Sequence, residues 1–338
     1  MIKYLSVIFL SVLFLYNNIP LKASEQNLNP DNPFFDQENI AISNHGIWLY
    51  DAKSKQKKWH TLVGKHLYEP VIADSKVFIG STSGLFALEK KTGKTSFQFM
   101  RDKNLFSSII MDDRLFVTSD SGDIWSLDRS SGSIIWHLKL EGWVYPMIFL
   151  QGNLILGGQS GFITALDPNT SKIVWNFKLD GELTYKPIEI NDKYFAVSIF
   201  TGFTYLIHAK NGSLIWKVKD KTPFFSFVAD KNSITYAGFG LVKIRDVNNG
   251  KLLFEDILPG KILNCTSFSD GVFMISNENE IRLYSSQKPT LIWSKKWNKK
   301  QIGHPVSNNK YFFTILNGDQ EPLIKFIKKT QLIYNQSL

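Results

Sequence analysis

The sequence predicts an all-β chain closed into an eight-bladed β-propeller of four-stranded antiparallel blades. Three observations point there: a motif that returns roughly every 39 residues, apolar alternation of period two inside each copy, and a composition fit for one large core. Of 338 residues, 43% are apolar, 14% aromatic and 20% charged, too apolar a mixture for a disordered chain. The only cysteine, Cys265, excludes an internal disulfide framework and a thiolate-rich metal site.

The first element reads as an export signal over residues 1–23. Lys3 supplies the positive start, Leu5 to Leu15 the apolar stretch, and Pro20 with Ala23 a cleavage region ending before Ser24. The apolar stretch is shorter than the ~20 residues that cross a bilayer, so a cleaved signal is expected over an anchor. No cysteine stands at the cut to accept a lipid. The expected mature chain, 24–338, is one soluble, exported propeller domain with 37 basic against 30 acidic residues, a net charge of +7.

The blades follow in order. Gly161 to Trp175 (GFITALDPNTSKIVW) and Gly122 to Trp136 (GDIWSLDRSSGSIIW) carry the motif best, and Gly46 to Trp59, Gly84 to Phe97 and Gly240 to Phe254 repeat it. Gly202 to Trp216 and Glu280 to Trp293 are weaker copies, and Thr330 to Tyr334 (TQLIY) ends the last unit. The anchor aromatics are Trp59, Phe97, Trp136, Trp175, Trp216, Phe254, Trp293 and Tyr334, separated by 38, 39, 39, 41, 38, 39 and 41 residues. Seven blades with a decorated terminus is the alternative, because the last unit is degenerate.

Within each unit, an acidic residue eight before the anchor accepts turn N–H groups. A glycine four before it (Gly93, Gly132, Gly212, Gly250) supplies positive φ. The anchor then fills the gap between neighbouring sheets, burying about 150–250 Å². One such sheet cannot bury both faces, but a ring of them can. A helical solenoid needs 3.6-residue periodicity, and no Trp-Asp dipeptide marks a WD40 repeat.

The string Gly-x-x-x-Ala-Leu-Asp-x-x-Thr/Ser-Gly-x-x-x-Trp, as it stands in the copies ending at Trp175 and Trp136, resembles the repeat of the pyrroloquinoline-quinone-type propellers. Taken with the export signal and the single domain, the chain resembles the family of the outer-membrane assembly factor BamB. The resemblance implies a non-enzymatic periplasmic scaffold without a cofactor, placed beside the outer membrane. Such a scaffold binds the POTRA domains of the barrel-assembly subunit through inter-blade loops on one face.

Two departures stand out. Ala23-Ser24 replaces the lipid-accepting cysteine of that family, and the mid-chain loop before Pro187 has Leu183 and Lys186 but no arginine. The partner-binding candidates are Leu183, Tyr185 and Lys186 in the loop 179–186, with Phe224 and Phe225 in the loop 219–225. Two other readings remain: an exported propeller for a different partner or small ligand, and a secretory-pathway propeller. Asn169, Asn211, Asn264 and Asn335 are formal glycosylation acceptors for the latter.

A quinone-dependent dehydrogenase resembles this repeat too, but one cysteine cannot form the vicinal pair of those enzymes, and five of the nine tryptophans are blade anchors. His45, His60, His66, His137, His208 and His304 show no His-x-x-x-His spacing. His208 takes the acidic slot of its turn, and His304-Pro305 matches Glu69-Pro70 and Lys186-Pro187, both structural positions. Asp112-Asp113 fits a hairpin turn, Cys265 an apolar strand, and no serine sits in a Gly-x-Ser-x-Gly elbow. Lys295, Lys296, Lys299 and Lys300 around Trp297, with Lys325, Lys328 and Lys329, form a candidate basic patch.

Overall fold

The computed structural model describes residues 34–36, 38–43, 46–62, 64–106, 108–145, 147–183, 186–220, 226–229, 232–238, 240–257, 262–269, 272–277, 280–285, 290–296, 306–307, 311–316 and 323–328. The signal read over 1–23 and the last anchor, Tyr334, lie outside them. Every regular element among the described residues is a strand, and none is a helix.

Seven four-stranded sheets and one three-stranded sheet succeed one another, over 34–61, 67–99, 109–139, 148–178, 188–219, 226–257, 262–296 and 306–328. They are numbered sheets 1 to 8 below. Each takes four consecutive strands of the chain, paired antiparallel in sequence order; sheet 8 has three among the described residues. Its expected fourth strand at 330–334 lies outside them.

Second and third strands are buried along their length, as in Asn39–Ser43, Ile47–Asp51, Arg114–Thr118 and Asn153–Gly157. Their sequences are near-continuous apolar runs because both faces meet a neighbouring sheet. The period-two alternation expected of every segment is therefore missing from the second and third strands, and it appears in the first strand Leu67–Ala73 and in fourth strands. Ile134–Lys139 and Ile173–Lys178 alternate between exposed and half-buried along their C-terminal halves. First strands of sheets 1 and 2, of 4 and 5, of 6 and 7, and of 7 and 8 lie side by side. Sheets thus stand face to face with first strands innermost and fourth strands outermost, the arrangement of a β-propeller.

The joint between sheets is the same each time. The indole N–H of Trp59 donates to the Lys90 carbonyl at 2.8 Å, Trp136 to Pro168 at 2.8 Å, Trp175 to Ala209 at 3.1 Å and Trp216 to Val247 at 2.8 Å. In every case the acceptor lies in the next sheet, one residue past its acidic turn position. The ring also covers the turn glycine of that next sheet. A Cβ at Gly93 would stand 2.8 Å from Trp59, at Gly132 2.7 Å from Phe97, at Gly212 2.6 Å from Trp175, and at Gly250 3.0 Å from Trp216. Those glycines have φ of +70 to +77°, so the turn and the close approach demand the same residue. Lys55 and Ser171 fill the slot in sheets 1 and 4, also at positive φ.

The turns are held as the sequence predicts. Asp128 Oδ1 accepts from the N–H groups of Ser130 and Ser131 at 3.1 and 2.8 Å, and Asp51 and Asp167 accept likewise. His208 does the same with Nδ1, which accepts from Lys210 N–H at 3.2 Å. A bulge then shifts the third-to-fourth strand register in sheets 1 to 7, where the turn feeds the anchor. Backbone and side-chain donors of Ser54 and the neighbouring Lys58 hold Asp51 at about 2, and Ser130 and Ser131 hold Asp128 at about 2.

Two outcomes follow from these joints. Gly212→Ala is expected to cost about 1–3 kcal/mol in urea melts, from backbone strain plus the ring contact. Gly152→Ala, at φ +79° with open space around it, should lose less. Because the turn carboxylates ionise more readily folded than unfolded, their contribution is full above pH ~4–5 and fades as pH falls toward 2. Asp128→Asn should therefore differ from the parent most near neutrality, the two acid-unfolding curves converging below pH ~3.

Candidate functional site

The loop 179–187 carries the chain from the outer strand of sheet 4 to the inner strand of sheet 5. Leu179 is buried, its N–H donating to the Gly161 carbonyl at 2.8 Å. Leu183 is buried as well and forms a β-bridge with Ile199. The same bridge recurs 39 residues apart at Val144 to Gly158 and Leu105 to Ser119. Leu183 therefore fills a repeated clamp that ties each loop to the next sheet, with its side chain turned into the core beside Ile199 and Phe195.

Lys186 has a different setting. Its ammonium lies 2.9 Å from Glu69 Oε2, both side chains about one-fifth exposed. Glu69 sits in the first strand of sheet 2 and Lys186 just ahead of the first strand of sheet 5, with sheets 3 and 4 between them in chain order. Since first strands are innermost, the pair crosses the axial space. Beside it the Tyr68 hydroxyl donates to Asn104 Oδ1 at 2.6 Å, Asn104 Nδ2 donates to Asp120 at 2.9 Å, and Phe106 meets Tyr68 edge-on at 5.3 Å. Burial pushes the Tyr145 phenol up, and Glu182 adds to the shift. Aromatic rings and paired charges thus gather around the first strand of sheet 2 and the loops entering sheets 3 and 5.

The second candidate loop begins at Lys219, exposed, with its ammonium 5.0 Å above the Phe203 ring. Asp220 follows with its side chain 1% exposed. It accepts from the Tyr236 hydroxyl at 3.0 Å, from Arg245 at 2.7 Å and from Lys243, while Arg245 also donates to the Gly250 carbonyl at 2.9 Å. Burial is the larger cause of the raised Tyr236 phenol, with the Asp220 charge next. Burial opposes the Arg245 charge, yet Tyr236 and Asp220 hold that group above its ordinary value. These groups pin the loop's origin to the turn of sheet 6. Tyr185, Phe224 and Phe225 lie outside the described residues.

The remaining polar candidates lie outside the two loops or serve the repeat. His60 stacks on Trp48 at 3.5 Å, His66 is exposed, and His137 Nε2 is 2.8 Å from Asp123. Burial works against the Asp123 charge, but Ser121, His137, Lys103 and Lys139 together hold it well below the usual carboxylate range. Asp112 occupies a turn at φ +52°, and the Asp113 carbonyl accepts from Arg129. Asn211 Oδ1 accepts from Ser213 N–H at 3.1 Å, a turn role that explains its asparagine. Lys295 and Lys296 are exposed on the outer strand of sheet 7, and Lys325 and Lys328 fall on the strand Leu323–Lys328. Lys299, Lys300, Lys329, His45 and His304 lie outside the described residues. Among the described residues, no three His, Cys, Asp or Glu side chains gather as a metal-holding group.

Known proteins resemble the chain in the same way. The sequence family described as "Outer membrane protein assembly factor BamB" matches residues 106–185, ending in the candidate loop. No curated protein matches. Among solved structures, BamB from Moraxella catarrhalis is similar at 16% identity and a TM-score of 0.69, over 86% of this chain and 93% of that one. The computationally designed Ika8 protein is similar at 13% and 0.74, covering 89% and 97% of the two chains. Saccharomyces cerevisiae Sqt1 is similar at 12% and 0.71, covering 88% and 99%. These likenesses establish the propeller fold, and with the family match the resemblance to the PQQ-like repeat of BamB.

The axial ion pair is open to a double-mutant cycle. Lys186→Ala and Glu69→Ala are each expected to destabilise the chain, while the double variant falls short of their sum. The coupling should be about 0.5–2 kcal/mol, read from denaturant melts at low and high salt.

Proposed function

We propose that this chain is a non-enzymatic interaction scaffold of the BamB kind, exported to the periplasm as an eight-bladed ring. In this reading Thr330 to Tyr334 supply the outer strand that completes the eighth blade. The partner is the barrel-assembly subunit, whose POTRA domains dock on the loops 179–186 and 219–225. The family match supports it most directly, since it runs over sheets 3 and 4 and ends within the first of those loops.

The geometry supports the same reading by what it holds still. Leu183 and Asp220 are each held in place at the base of their loop. A partner docking beside such fixed bases loses less to ordering, and a few central side chains then carry most of the affinity.

Tagged protein purified from membranes should enrich the barrel-assembly subunit over an unrelated periplasmic control. Tyr185→Ala with Phe224→Ala should lower that enrichment about tenfold while the thermal melt stays within a few degrees. Enrichment no greater than the control overturns the reading.

A further inference from the structure

Sheets 4 and 5 depart from the repeat at one corner. The residue after the glycine that opens the third strand is Ile47, Leu85 and Asp123 in sheets 1 to 3, all buried. In sheet 4 it is Phe162, 36% exposed, and in sheet 5 Phe203, half-buried. Trp143, 43% exposed, precedes the clamp residue Val144 in the loop entering sheet 4, where the loop entering sheet 3 has Asn104. Its carbonyl accepts from Gln159 N–H at 3.1 Å, three residues ahead of Phe162 in the chain.

Lysines from the outer strands lie over these rings. Lys178 Nζ is 4.8 Å from the centre of Phe162, and Lys217 and Lys219 are 4.0 and 5.0 Å from that of Phe203. Lys217 also reaches across the seam to Asp180 at 2.5 Å, joining the two sheets into one surface. Phe203 packs in part against the core beside Tyr205, while Phe162 and Trp143 keep ring area in solvent, and ring contact holds the ammonium groups in place ahead of any partner.

We infer that this corner binds an acidic segment of another protein, whose carboxylates meet Lys178, Lys217 and Lys219 while an apolar side chain covers Trp143 and Phe162. The inference deepens the scaffold reading and rests on it for the partner's being a protein. The charge mosaic favours a protein over a bilayer. Asp180, its side chain 55% exposed, stands among the lysines, and an anionic membrane would repel it. A folded or extended partner can set a neutral or basic group opposite it instead.

The mature chain titrated with a fluorescein-labelled peptide of repeated Glu-Glu-Leu-Ser should bind it, and should bind a Lys-Lys-Leu-Ser peptide far more weakly. Lys178→Ala with Lys219→Ala should weaken the acidic peptide about tenfold, and Phe162→Ser should weaken it further. Lys251→Ala with Lys295→Ala, on sheets 6 and 7, should leave it unchanged, with circular-dichroism melts confirming that every variant folds. Equal binding of both peptides, or equal loss in the sheet 6 and 7 control, overturns the inference. So does binding confined to phosphatidylglycerol vesicles. Failed enrichment of the barrel-assembly subunit beside intact peptide binding removes that partner and supports this surface.

Discussion

The whole architecture hangs on an asymmetric contact between successive sheets. An anchor ring from one sheet lies on the tight turn of the next, and at Trp59, Trp136, Trp175 and Trp216 its N–H also closes on a carbonyl there. The ring removes a large apolar area from water, and the hydrogen bond leaves no buried donor unpaired. At Gly93, Gly132, Gly212 and Gly250 the ring lies where a Cβ would stand, while Lys55 and Ser171 keep the same left-handed conformation in sheets 1 and 4. The acidic cap, the positive φ, the bulge and the aromatic therefore form a single unit. Each would be unremarkable alone.

Most of this frame was legible in the chain. The anchors, caps and glycines recur at a fixed period, and each is the residue its geometry demands. His208 was readable as a turn residue because imidazole Nδ1 accepts a backbone N–H as a carboxylate does. Strand patterning was less transparent. Runs such as Asn153–Gly157 are apolar on both faces, because a sheet between two sheets has no solvent side. Alternation survives on outer strands such as Ile173–Lys178 and in the first strand Leu67–Ala73.

The candidate site was legible only in part, for a physical reason. Leu183 belongs to a 39-residue series with Leu105 and Val144, so its conspicuous apolar side chain serves the loop's anchorage rather than its display. Lys186 matched Glu69 as a residue before proline, yet nothing in a linear chain says that two equivalent positions 117 residues apart will face each other across an axis. The pairing is a property of ring closure. Similarly, Phe162 and Lys178 are cross-strand partners that only the bulged hairpin register brings together.

Each sheet is a contiguous segment of chain, and each described seam from sheet 1 to sheet 6 repeats the same one-way contact. Neighbour order is thus encoded in side chains that read clockwise or anticlockwise, and the covalent links merely follow it. Duplication of one unit would insert a compatible neighbour at any joint. The fold is in that sense modular, a property that lets evolution lengthen, shorten or re-open such rings without inventing a new interface.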